Sequence, residues 1–242
     1  MDLDYGTYPF LTSSSTGLTG VFSGLGGLRP ESVKTRIGVV KAYTTRVGSG
    51  PFPSEDLGEV GEKLQSIGHE YGTTTGRKRR CGHLDMVVLR HSHSVNRYTH
   101  LNLTKLDVLD TFEEIKIAVA YHTKNHDGST TTWRNRFPAD LSLLKEDRLE
   151  VEYITMKGWK SDITECRKWD DLPQQTKEYI SFVSGTGTVE WWYQYLWTCR
   201  LTEVVLDFER LGRAGELCWC WSVARCHGRG ACRRINRVFV QS

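Results

Sequence analysis

Apolar residues recur with two periods along the chain, and the switches between them delimit its elements. Ile37-Gly38-Val39-Val40-Lys41-Ala42-Tyr43 is a short, nearly continuous apolar run, the pattern of a buried strand. Ser54 is a candidate cap for a helix in which Leu57, Val60, Leu64 and Ile67 recur at helical spacing, with Gly68 as its stop. All four of those apolar residues are expected in the core. Residues 84–95 are apolar enough for a second, mostly buried helix, and 99–103 predict a short strand. Residues 114–121 alternate, placing Ile115, Ile117, Val119 and Tyr121 on one face. Asp127-Gly128 marks a turn, and 149–154 read as a further strand. Pro173 opens a helix that turns Thr176, Tyr179, Ile180 and Val183 inward. Strands alternating with helices predict an α/β sheet, and no internal repeat interrupts them.

Composition changes this picture at one place. Of the 7 cysteines among 242 residues, Cys81 and Cys166 lie early, while Cys199, Cys218, Cys220, Cys226 and Cys232 fall after Ser184. Tryptophan concentrates there too, and the same tail uses arginine without lysine. The predicted division is a domain over 1–184 and an unrelated, poorly ordered tail over 185–242. Its cysteines and His227 fit no standard zinc spacing, which needs paired elements such as C-x2-C. Arginine without lysine, with abundant tryptophan and cysteine, is what a shifted reading frame or retained intron in GC-rich sequence would encode. Net charge is only +3, so any basic function is local rather than a global field for nucleic acid. No apolar run reaches the ~18 residues of a membrane span. The opening Met1-Asp2-Leu3-Asp4-Tyr5 lacks the pattern of a signal peptide, so a cytoplasmic setting with reduced thiols is expected.

Chemistry gathers in the polar stretches between these elements. Gly72-Thr73-Thr74-Thr75-Gly76-Arg77-Lys78-Arg79-Arg80 sets three hydroxyls and four cations around a glycine. Hydroxyls and backbone N–H groups donate to carboxylate or phosphate, and arginine forks grip such anions bidentately. The plain alternative is a solvated basic turn. The hydroxyl-rich opening, Thr12-Ser13-Ser14-Ser15-Thr16-Gly17, has the donors to wrap a phosphate and is equally readable as linker. Thr104-Lys105-Leu106-Asp107 follows a strand. A carboxylate there can accept from both N1–H and the 2-amino group of guanine, whereas adenine would leave it unpaired; taken alone, the stretch reads more simply as a solvated Lys/Asp turn. The lysine stem lies along a base while its ammonium stays wet. His91 and His93, two apart, do not share a helix face and read as ordinary helix positions.

Five stretches then occur in one order: Asp4-Tyr5-Gly6-Thr7-Tyr8-Pro9-Phe10, Val39-Val40-Lys41-Ala42-Tyr43-Thr44-Thr45-Arg46-Val47-Gly48, Thr74-Thr75-Gly76-Arg77-Lys78-Arg79-Arg80-Cys81-Gly82, Leu103-Thr104-Lys105-Leu106-Asp107-Val108-Leu109-Asp110 and Trp169-Asp170-Asp171-Leu172-Pro173. In these words the chain resembles adenylosuccinate synthetase, most closely the animal enzymes, over residues 2 to about 183. The resemblance implies a partial P-loop-related α/β fold, a homodimer, and use of GTP, Mg2+, IMP and L-aspartate. In that family GTP phosphorylates O6 of IMP, and the aspartate amine then displaces phosphate at C6. Carried onto this chain, Thr12 contacts the IMP phosphate, Val47 the IMP ribose, and Arg77 lies near that nucleotide. Thr74, Thr75, Arg77 and Arg79 form the aspartate loop, while Arg79, Lys105 and Asp107 serve GTP.

Some family features have no match here. The glycine-rich phosphate loop with its catalytic aspartate, the later catalytic histidine and the main Mg2+ ligands find no counterpart, so neither a catalytic residue nor a metal ligand is expected in these 242 residues. Ser15 stands where asparagine is usual, His83 where tryptophan is, and Glu165-Cys166 where glycine-alanine is. Little or no activity is therefore expected of the chain alone. The competing classes are a non-catalytic nucleotide-binding or regulatory partner of a full-length enzyme, and a nucleic-acid binder working through Arg77 to Arg80.

Overall fold

A computed structural model describes residues 6–11, 13, 15–27, 29–72, 76–145, 147–185, 204–207 and 238–241. In chain order its regular elements are α1 (Leu18–Gly24), β1 (Arg36–Lys41), β2 (Thr44–Arg46), α2 (Glu59–Ile67), β3 (Arg80–Gly82), β4 (Leu84–Asp85), α3 (Met86–Asn96) and β5 (His100–Thr104). They continue with β6 (Glu114–Lys124), β7 (Thr130–Trp133), β8 (Leu149–Lys157), α4 (Gln174–Gly185), β9 (Val204–Asp207) and β10 (Val238–Gln241).

The apolar run at residues 37–40 does become a central strand. β1 pairs in parallel with β5 and with β10, and β9 closes the sheet antiparallel to β5, in the order β10-β1-β5-β9. The register sets Lys41 beside Thr104, so β1 and β5 end together. A second sheet is built on β6, which holds β4 in parallel and both β7 and β8 antiparallel. β2 and β3 form a separate antiparallel ribbon. The mixed α/β class is the one predicted. Of residues 185–242, Gly185, β9 and β10 are described; the remainder, with all five late cysteines, lies outside the described residues.

Leu103, Leu106, Ile117, Tyr179 and Ile180 are among the sealed side chains of the main core. Thr176, Tyr179, Ile180 and Val183 all face inward from α4, as their spacing predicts, and the Tyr179 hydroxyl donates to Ala42 O at 2.6 Å. That bond ties α4 to the end of β1, where the site forms.

Several expectations are corrected. Ser54 does not cap α2: it is sealed beneath β3, its carbonyl accepting from His83 N at 2.9 Å. The Asp56 carboxylate takes the helix-start N–H groups of Gly58 and Gly61 instead. Because α2 then begins at Glu59, Leu57 precedes it and is 85% exposed; Ile67 is 42% exposed, and Leu64 alone of the four is fully buried. One nine-residue helix on a core edge buries a single narrow stripe. The second helix starts later than predicted, since Leu84–Asp85 is a strand and the Asp85 side chain caps α3 by accepting from Val87 N and Val88 N. In β6 the one-face alternation fails at a bulge between Ala118 and Ala120. Ile115, Ile117 and Val119 stay in the main core, whereas Tyr121 packs with Val87 and Leu144 in a second one.

Candidate functional site at the ends of β1 and β5

Two pairings assemble the site. The β2–β3 ribbon sets Thr45 opposite Cys81 and Arg46 opposite Arg80, which brings Arg79 alongside the segment leading to Val47. The β1–β5 register brings Thr104 to Lys41, with Lys105 next in the chain. Between them opens a cavity of about 320 Å3 whose wall includes Lys41, Thr45, Val47, Arg79, Asp85 and Thr104. It lies at the carboxyl ends of parallel strands, where open α/β sheets bind ligands.

One carboxylate organises the cationic wall. Glu70 Oε1 accepts from Lys41 Nζ at 2.8 Å and from the Tyr43 hydroxyl at 2.7 Å; Oε2 accepts from the same ammonium at 2.8 Å and from Arg79 Nη1 at 2.9 Å. Burial pushes the Glu70 carboxyl up, but the bonds from Lys41, Tyr43 and Arg79 outweigh it and hold it below the ordinary carboxylate range. Tyr43 is pushed far up, first by burial and then by Glu70, so it remains a phenol that donates. Lys41 also donates to Thr45 Oγ1 at 3.1 Å. Gly68 makes this packing possible: a Cβ there would meet the Tyr43 hydroxyl at 2.2 Å and Leu64 O at 2.5 Å.

The basic loop divides its labour. A Tyr71–Lys78 bridge and bonds from Gly72 N to Arg77 O and from Gly76 N to Gly72 O, both 2.8 Å, close it. Gly76 sits at φ +62°, a conformation glycine adopts freely. Arg77 and Lys78 are exposed. Arg80 turns inward, pairing with both oxygens of Glu55 and donating to Gly50 O at 2.8 Å, so it fastens the loop after Val47 rather than meeting a ligand. Arg79 faces the cavity. Thr12, Thr74 and Thr75 lie outside the described residues.

Lys105 and Asp107 sit just beyond Thr104. Lys105 is held at φ +62°, a left-handed conformation that a non-glycine residue adopts only under constraint, and its ammonium donates to Gly68 O at 3.2 Å. Among the described residues Asp107 Oδ1, which is buried, finds no hydrogen-bond partner. Burial pushes the Asp107 carboxyl up, opposed by Lys105. The four expected residues that the described chain places here therefore fall in two adjoining groups: Val47 with Arg79 on the cavity, Lys105 with Asp107 beside it. Arg77 is exposed and is not part of the cavity wall. Sequence reasoning missed Lys41, Tyr43 and Glu70. The available signal was a lysine ending a buried strand and a lone acid placed before a cationic run.

Among the described residues no group of three or more His, Cys, Asp or Glu is placed to hold a metal ion. His91 packs against Phe137 and His93 against Tyr98, and burial pushes both imidazoles down. Nor, among the described residues, is any helix long and apolar enough to cross a membrane.

A family model described as adenylosuccinate synthetase matches residues 1–191. The chain belongs to the adenylosuccinate synthetase family. It is 57% identical over 194 residues to the adenylosuccinate synthetase of Emericella nidulans, covering 79% of this chain and 44% of that relative. With the Meyerozyma guilliermondii protein of the same name it shares 56% over 193 residues, 79% of this chain and 43% of the relative. A solved structure, that of the fully ligated adenylosuccinate synthetase from Plasmodium falciparum, superposes with a TM-score of 0.70 at 43% identity, covering 76% of this chain and 42% of that one. The chain thus spans less than half the length of these relatives.

Proposed function

We propose that this chain carries the amino-acid-binding and guanine-reading part of an adenylosuccinate synthetase, which joins IMP to L-aspartate at the expense of GTP. The observation that supports this most is Asp107: an acceptor oxygen buried without a donor is costly unless a ligand supplies one. Guanine supplies two, at N1–H and the 2-amino group, and adenine none in that arrangement. Lys105, bent over the Gly68 carbonyl, is placed to lay its stem along the base.

The cavity beside it fits the other substrates. Arg79 offers a planar fork to an aspartate carboxylate, with Thr74 and Thr75 of the same loop completing that site; Arg77, exposed and off the cavity wall, is left out of it. Val47 borders the IMP ribose and Thr12 meets its phosphate. In this reading Arg79 also reaches GTP, and the assembled enzyme is a homodimer. When bound, Mg2+ neutralises charge on the transferring phosphoryl group. The described residues do not fit it, so no step here runs through the ion. These residues bind and orient; without a base, an acid and a metal they do not stabilise a phosphoryl-transfer transition state, so a polypeptide of these residues alone binds substrates with little or no turnover.

Two assays test the reading. Titration of the chain with GTP and ATP should show a GTP preference of about tenfold or more, the scale of one charge-assisted hydrogen bond; equal affinities would remove the guanine assignment. Phosphate release with GTP, IMP, aspartate and Mg2+ should stay near background, and brisk turnover would overturn the claim of inactivity. The nucleic-acid alternative predicts binding that weakens steeply with salt. It gains little support here, because Arg80 is taken up by Glu55 and Arg79 lines the cavity, so the cationic run does not act as one outer surface.

A further inference from the structure

Glu70 is 1% exposed, yet it does not belong to the cavity wall. The three groups that donate to it do: Lys41, Tyr43 and Arg79 all line the cavity. It therefore stands behind the surface a ligand would touch, and whatever it does for a ligand it does through those three. We propose that Glu70 is a positioning residue, which fixes the Arg79 guanidinium and the Lys41 ammonium as one rigid anion-gripping face for the α-amino dicarboxylate substrate. The proposal rests on the aspartate reading above and assigns that site a residue behind its first contacts.

Three features carry it. First, the backbone around Arg79 is fixed to the same segment: Arg79 N donates to Glu70 O at 2.9 Å, and Gln65 Nε2 donates to Arg79 O at 2.8 Å. The main chain is thus set from α2, and the carboxylate sets the side chain. Second, among the described residues only Nη1 of Arg79 is bonded, so the rest of its fork keeps its donors for a ligand in the cavity that Arg79 lines. Held at one corner, a guanidinium loses little further freedom when it engages a carboxylate, which is how preorganisation raises affinity. Third, the charges count to a purpose. Lys41 and Arg79 are two cations and Glu70 one anion, a net of one positive charge among the three, while burial pushes the Asp85 carboxyl on the same wall up toward its neutral form. Two unscreened cations would attract any anion, phosphate included. A face of fixed geometry with one net charge instead favours a ligand whose carboxylate matches the fork.

Charge and geometry make opposite predictions for Glu70→Gln. The substitution keeps the shape and raises the net charge of the face by one. If Glu70 served only to temper charge, every anion would bind the variant more tightly. If it positions, L-aspartate binds less tightly, by about tenfold, while inorganic phosphate binds as well as before or better. The experiment is a calorimetric titration of the full chain and of Glu70→Gln with L-aspartate and, separately, with inorganic phosphate. Side-chain 1H–15N spectra of Arg79 accompany it. Dispersed, slowly exchanging Arg79 signals in the parent chain and averaged ones in the variant, together with the split between the two anions, are the expected result. Unchanged aspartate affinity, or an equal loss for both anions as from general loosening, overturns the proposal. If circular dichroism shows that Glu70→Gln does not fold, Glu70→Asp carries the test. Its carboxylate, shorter by one methylene, cannot span Lys41 and Arg79 together, so aspartate affinity should again fall relative to phosphate; parity with the parent chain overturns the proposal. A parent chain that binds no aspartate at all instead sinks the substrate reading, and the positioning role with it.

Discussion

Two carboxylates lie next to the ends of β1 and β5, and the protein treats them in opposite ways. Glu70 receives four hydrogen bonds from three residues and is held ionised. Asp107 has no partner for Oδ1 among the described residues and is pushed toward its neutral form. Burial disfavours both anions, so donors decide the difference. A carboxylate with all its donors supplied from within stiffens what surrounds it. One short of donors is stable only at a cost, and that cost is recovered when a ligand brings them.

Exchanging acid for amide at each position should separate the two roles, and the largest effect is on nucleotide choice. Asp107→Asn should remove most of the GTP-over-ATP preference, a loss of about 1.5–3 kcal/mol or roughly ten- to a hundredfold, with thermal stability unchanged or raised because a poorly satisfied buried charge is gone. Nucleotide titration with a melting curve on the same sample checks both. Glu70→Gln should do the reverse, lowering stability by about 2 kcal/mol while sparing nucleotide choice. Gly68→Ala comes next: its methyl would strike the Tyr43 hydroxyl and Leu64 O, costing about 1–3 kcal/mol in denaturant midpoint and loosening Glu70.

Acid should pull the two sites apart as well. A depressed Glu70 pKa contributes stability above the unfolded value of about 4.3, lost as pH falls through the lower folded value. A raised Asp107 pKa has the other sign: its stability contribution is fully present below the unfolded value of about 3.9 and lost as pH rises through the folded value. Guanine binding needs the ionised form, so GTP affinity should fail on acidification before the Glu70 cluster does. Nucleotide affinity and far-ultraviolet dichroism followed together from pH 7 to 3 check the order. The smallest effect is expected from Lys63→Ala, which removes an exposed ion pair with Glu59 and should leave the melting temperature unmoved.

The same contrast explains what could be read in the sequence. The place of Asp107 was legible because it is local: a strand, a turn and a carboxylate, three neighbours in the chain. Strand β1 and the inward face of α4 were legible for the same reason, the one as a short apolar run and the other through helical spacing. Glu70 was not, because its meaning lies in Lys41, 29 residues away, and in the parallel register that brings β1 and β5 to a common end. The helix cap failed likewise. Ser54 has the right chemistry, but the close approach of Gly82 to Ser54 O, 2.1 Å from where a Cβ would stand, buries it under β3 and leaves the cap to Asp56. Nor does a one-residue bulge in β6 announce itself in an alternating pattern.

What Asp107 does when guanine arrives decides between a ligand-reading carboxylate and a merely buried one. Carbon-detected titration of its carboxyl group, with and without saturating GTP, measures that directly. The free chain should show a carboxyl that titrates above the ordinary aspartate range, and GTP should lower it, because two donors, N1–H and the 2-amino group, favour the anion, both of whose oxygens accept. A carboxyl that titrates identically with GTP bound would contradict it.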